Sequence, residues 1–131
     1  MNLKLTVVIL LLLAGAFAYS GATVVEFSGE PVDNKIVLRW KTAEEVDINL
    51  FVVERSMDGR TFAAAGEVVP LGSNSDYEFI DDKLANVRSV YHYRLRIVNK
   101  DATVQYSEPI TVIPRLSSFA KTWGSIKALF Q

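Results

Sequence analysis

Between residues 22 and 114 apolar and polar side chains alternate with a period of two. In KIVLRWK, Ile36, Leu38 and Trp40 share one face while Val37, Arg39 and Lys41 share the other. LFVVERS puts Phe51 and Val53 on one face, but Leu50 and Val52 make its opposite face apolar too. DYEFID sets Tyr77 and Phe79 against Glu78 and Ile80. The cleanest case is YHYRLRIV, where Tyr91, Tyr93, Leu95 and Ile97 alternate with His92, Arg94 and Arg96. Successive side chains of a strand point to opposite sides of its sheet, so this pattern is that of half-buried antiparallel strands. Turn signals separate the runs. Asp58-Gly59 can supply the positive φ a tight hairpin needs, PLGSNSD is a loop by composition, and Asn99-Lys100-Asp101 reads as a hairpin turn. Seven strands are predicted, at 23–28, 34–41, 50–56, 61–69, 77–80, 90–98 and 103–113, with AEEVDIN as a loop between the second and third.

Short strands at this spacing point to an all-β, seven-stranded sandwich of the immunoglobulin or fibronectin type III kind. The stretch VLRWKTAEEVDINLFVVERSMDGRTF resembles a fibronectin type III-like module of secreted bacterial proteins. The resemblance rests on Trp40, Thr42-Ala43-Glu44-Glu45, Phe51, Glu54-Arg55-Ser56, Asp58-Gly59 and Phe62, and continues in YEFID and in YHYRLRIVNKDATVQYS. It spans residues 34–113 and implies a structural and binding role with no catalytic residues. Two positions depart from that pattern. Asp101-Ala102 stands where the module usually has Asp-Gly, so a different turn is expected there. Val52 replaces a residue that is often polar, so one exposed strand face is expected to be stickier. Trp40 is large enough to fill the space between two sheets, worth about 3 kcal/mol on burial. Tyr91, seven residues after Leu84, occupies the place of a tyrosine corner, whose hydroxyl bonds back to the preceding loop.

After Pro114 the period changes. Leu116, Phe119, Trp123, Ile126 and Phe130 are spaced three, four, three, four, the stripe of an amphipathic helix. Ser117 or Ser118 can cap its start, and Lys121 and Lys127 fall on the polar side. Burying such side chains is worth about 1.5–3 kcal/mol each, so something must cover them. The chain's own sandwich, another protein chain and a membrane surface are the three coverings considered; two lysines give a membrane weak attraction. These five residues are the candidate partner-binding set.

At the other end, Lys4, an apolar run over residues 7–18 and the small-x-small sequence Ala16-Phe17-Ala18 describe a secretory signal peptide. The run is shorter than the roughly twenty residues that span a bilayer. The expected organisation is a signal peptide at 1–18, a sandwich at 22–114 and a helical tail at 115–131. The expected location is periplasmic, cell-surface or extracellular.

Composition narrows the chemistry. The 131 residues carry a net charge of −1, without the basic footprint of a nucleic-acid binder. All acids lie between Glu26 and Glu108, whereas the tail has Arg115, Lys121, Lys127 and no acid. No cysteine is present, which excludes disulfides, thiolate metal sites and cysteine nucleophiles. The single histidine, His92, lies on a polar strand face with nothing in the sequence to place an acid and a nucleophile beside it. One histidine makes a poor zinc site. The acids at Glu44-Glu45-Asp47 and at Asp76, Glu78 and Asp81-Asp82 lack the spacing of a calcium loop and read as solvated charge. Paired carboxylates for glycoside hydrolysis need a groove between them, and a domain of this size offers little room. Arg39, Arg94 and Arg96, placed outward and in one sheet, could form a basic stripe for an anionic polymer. Cross-strand pairs with Glu54 or Glu78 are the preferred reading.

The expectation is an exported, non-enzymatic interaction or assembly module without a cofactor, partnered by another protein or a second copy of itself. Polysaccharide binding and membrane attachment through the tail are the alternatives.

Overall fold

In the computed structural model, residues 20–113 are described; the expected signal peptide and the tail stripe lie outside the described residues. Eight strands follow in order: β1 (Gly21–Val32), β2 (Lys35–Val46), β3 (Ile48–Ser56), β4 (Ala63–Val68), β5 (Asp76–Asp81), β6 (Tyr91–Asn99), β7 (Val104–Tyr106) and β8 (Ile110–Val112). They form two sheets in which every neighbouring pair is antiparallel. The first has the order β1-β2-β5; the second has β4-β3-β6, with β7 and β8 both on the outer edge of β6.

The alternation fixes which face of each sheet is inside. Ile36, Leu38 and Trp40 of β2, Phe51 and Val53 of β3, Tyr77 of β5, and Tyr91, Tyr93, Leu95 and Ile97 of β6 form one buried cluster between the sheets. Trp40 stacks on Tyr77 with ring centres 5.1 Å apart and touches Phe51 and Phe27 edge-on or tilted. Tyr91 forms the expected corner: its hydroxyl donates to the Asn86 carbonyl at 2.9 Å and accepts from the Asn86 N–H at 3.0 Å.

Four expectations are corrected. The seventh strand is two strands, β7 and β8, because Pro109 has no N–H for a ladder and Ser107 turns its hydroxyl to accept from the Leu95 N–H. The loop expected at AEEVDIN is one residue: β2 runs to Val46, and Asp47 alone, at φ 52°, swings the chain from one sheet to the other. Ala102 keeps the left-handed conformation a glycine would take, at φ 71°, so the turn before β7 is not altered by the missing glycine. Val52 is only 1% exposed rather than a sticky surface residue. It is flanked in register by Arg96 on β6 and Glu67 on β4, whose long stems can cover apolar surface while their charges stay in water.

The sandwich has two seams, where the edge of one sheet meets the edge of the other. On one, β4 passes so close to β5 that a Cβ on Gly66 would meet the Phe79 ring at 2.4 Å. On the other, β1 and the β7–β8 pair run side by side in the same direction. Gln105 joins them at one end, its amide oxygen accepting from the Ala22 N–H at 3.1 Å and its NH₂ donating to the Ala22 carbonyl at 2.8 Å. At the other end Gly29 lies against Val112; a Cβ there would approach the valine methyl to 2.5 Å.

Candidate functional site

Most of the polar side chains that could carry chemistry are engaged in holding the sandwich together. Asp81, 2% exposed, is the plainest. It ends β5 of one sheet and accepts from Arg55 of the other at 2.9 and 2.8 Å, one bond to each carboxylate oxygen. The Tyr93 hydroxyl donates to it at 2.6 Å and the Lys83 N–H at 3.3 Å. Burial, and next the bond to Asp81, push the Tyr93 phenol far above its ordinary range. Such a network suits a fixed structural bridge, since both carboxylate oxygens are already occupied by donors.

The two acidic clusters come apart for the reason that strands have two faces. Glu78 points outward to Arg39 at 3.1 Å and Asp76 pairs with Lys41 at 3.7 Å, whereas Asp81 points in. Glu45 organises the loop after β4. It accepts from the Thr42 and Tyr77 hydroxyls, both at 2.7 Å, and from the Gly72 N–H at 3.3 Å, while Ser73 accepts from its N–H at 2.9 Å. Tyr77, buried and donating to Glu45, has its phenol pushed up to about 12. Asp58 accepts from the Arg60 and Thr61 N–H groups, both at 2.8 Å, which holds its carboxyl far below the usual carboxylate range. Among the described residues no group of three or more His, Asp or Glu side chains could hold a metal ion. His92 is half-buried, with Nδ1 3.0 Å from the Thr111 hydroxyl on the neighbouring strand.

The three arginines do not share a sheet. Arg39 is on β2 and bonds Glu30 and Glu78, while Arg94 and Arg96 are on β6 of the opposite sheet. The preferred reading, cross-strand pairs, is what is found, and the alternative basic stripe is not formed: Glu54 of β3 accepts from Arg94 Nε at 2.8 Å and lies 3.3 Å from Arg96 Nε.

One surface open to a partner is the outer face of the β4-β3-β6 sheet. There the Arg94 guanidinium lies between two aromatic rings, 4.1 Å from the centre of Phe62 and 4.3 Å from that of Tyr106. Glu54, which accepts from its Nε, holds it there. Beside this stack, Leu50 faces Val98 and Val98 faces Val104 across the strands. Tyr106 is 53% exposed and Val104 42%. Sequence reasoning placed most aromatics inward and so missed this pair. Alternation along VQY, with Gln105 inward, is the signal that could have found Tyr106. The candidate tail residues Leu116, Phe119, Trp123, Ile126 and Phe130 lie outside the described residues.

No family model matches the chain, and no curated protein does. A solved structure to which it is similar is that of a pectate lyase from Pectobacterium carotovorum, at 26% identity and a TM-score of 0.53. The match covers 68% of this chain and 26% of the lyase, so the chain corresponds to about a quarter of that protein's length.

Proposed function

We propose that the chain is an exported, non-enzymatic β-sandwich of the fibronectin type III-like kind that works as an interaction or assembly module. The distribution of three strands against a sheet built on β4-β3-β6 supports the fibronectin-like reading, as does the engagement of Arg55, Tyr91 and Asp81 from the quoted motifs in internal bonds. The observation that carries the functional reading is the Phe62–Arg94–Tyr106 stack beside exposed Val104. Tyrosine and arginine fixed in place beside apolar surface are what the energetic centre of a protein interface is made of, because little side-chain freedom is left to lose on binding. Export rests on the leader motif ending at Ala18.

Site-directed photo-crosslinking in an exporting cell tests this. A benzophenone side chain at Tyr106 is expected to give discrete protein adducts. The same probe at Ile80, 48% exposed on the outer face of the other sheet, is expected to give none. Equal labelling at both, or none at Tyr106, overturns the reading.

A second reading, binding of an acidic polysaccharide, is favoured by the likeness to a pectate lyase together with an exposed tyrosine beside an arginine. Electrophoresis through a gel containing pectate separates the two. Retardation that Tyr106→Ala abolishes supports the polysaccharide; unretarded migration leaves the protein partner.

A further inference from the structure

The seam between β1 and β7–β8 is closed at its two ends and open between them. Closure at one end is the double bond of Gln105 to Ala22, and at the other the contact of Gly29 with Val112. Between them β1 shifts register twice, on either side of Val24, and the second sheet's edge is interrupted between β7 and β8. The two strand edges stand apart there and leave an open groove of about 500 Å³. Val24, Phe27 and Ile110 line it, and its floor reaches down to Ile97, a fully buried core residue. One exposed glutamate stands on each wall, Glu26 on β1 and Glu108 between β7 and β8.

We propose that the groove is the seat of the chain's own C-terminal segment, whose apolar stripe (Leu116, Phe119, Trp123, Ile126 and Phe130) covers it in cis. Three features agree. The first is the point of departure. β8 ends beside Gly29, at the closed end of the groove, and Pro114 follows Ile113 directly, so the ladder cannot continue and a segment turning back there meets the groove first. The second is length. From Ala22 to Gly29 a strand rises about 23 Å, and a helix from Leu116 to Phe130 rises about 21 Å. The third is charge. The walls present Glu26 and Glu108, while the segment carries Arg115, Lys121 and Lys127 and no acid, with Lys127 bordering the stripe next to Ile126. An apolar stripe entering a groove with acidic walls satisfies both the burial and the charge.

The absence of cysteine makes the test direct. A nitroxide is attached to Ala120→Cys in the full exported chain, a position adjoining the stripe, and amide signals of the isotope-labelled protein are recorded before and after reduction of the label. The amides of Val24, Val25, Phe27 and Ile110 are expected to lose most of their intensity, while those of Arg39 and Ile80 on the outer face of the first sheet stay sharp. A mixture of spin-labelled unenriched chain with isotope-labelled, nitroxide-free chain is expected to show no loss. Loss in that mixture gives the groove to a second copy and overturns the proposal. So does loss centred on Val104 and Tyr106, or uniform retention of intensity. Tyr106 points to the outer face of the second sheet and is not part of the groove lining, so the photo-crosslinking there is read independently.

Discussion

Removing either member of the Arg55–Asp81 pair should destabilise the sandwich, and removing both should destabilise it by clearly less than the sum. Asp81 is 2% exposed and receives four hydrogen bonds, two of them from the Arg55 guanidinium. Asp81→Ala leaves the guanidinium and the Tyr93 hydroxyl facing each other with no acceptor. Breaking one side of a buried ion pair costs about 3–5 kcal/mol. Arg55→Met leaves the carboxylate with only Tyr93 and the Lys83 N–H, and a loss of about 3 kcal/mol is expected for the same reason. Asp81→Ala with Arg55→Met removes both charges, leaving the Tyr93 hydroxyl as the one buried orphan, at about 1–3 kcal/mol. The double variant should therefore retain at least about 3 kcal/mol more than additivity allows. Urea unfolding followed by far-ultraviolet circular dichroism measures this, provided that the slope with denaturant is unchanged among the variants. A loss below about 1 kcal/mol in Asp81→Ala, or strict additivity, refutes the claim that this pair bridges the two sheets energetically.

Two other predictions follow from single residues. Ala102 sits at φ 71°, a conformation that carries a penalty of about 1–2 kcal/mol for a residue with a Cβ. Ala102→Gly should gain about 0.5–1 kcal/mol after the extra chain entropy of glycine is subtracted, seen as a higher melting temperature; a lower one contradicts the turn as described. The second concerns alkali. The Tyr77 phenol is held at about 12 and the Tyr93 phenol is also raised, whereas an unfolded tyrosine ionises near about 10. Below the unfolded value both states keep the proton and stability is full. Above it the unfolded chain ionises first, so the urea midpoint should fall from pH 10 to 12, and less steeply in Tyr77→Phe. A midpoint constant across that window would rule this out.

The faces of the strands were legible in the sequence because burial on one side of a sheet imposes a period of two, and Trp40, Tyr77 and Tyr91 went where that period sent them. The tyrosine corner was legible too, since it depends on a local span from the loop at Asn86 to Tyr91. The pairs at Glu78 and Glu54 followed from outward positions on neighbouring strands. What could not be read was anything that depended on which sheet a strand joins. Arg39 and Arg94 both point outward, but from opposite sides of the molecule. Asp81 looked like one member of a surface cluster with Asp82, although its partner lies twenty-six residues away across the core. The break between β7 and β8 needed Pro109 to be weighed against the apolar pattern around it. The Phe62–Arg94–Tyr106 stack joins three segments, so no local pattern announces it.

The bond between Gln105 and Ala22 also bears on how the domain would carry load. Because β1 and β8 run in the same direction, the chain enters beside Gln105 and leaves beside Gly29, at opposite ends of the sandwich. Tension applied at the start of β1 and the end of β8 would slide β1 lengthwise against β2, and β8 against β6. The ladders are strained together rather than opened one bond at a time. Gln105 clamps the entry point and the Gly29–Val112 contact the exit. Pulled at these two points, the sandwich would resist as a stiff unit.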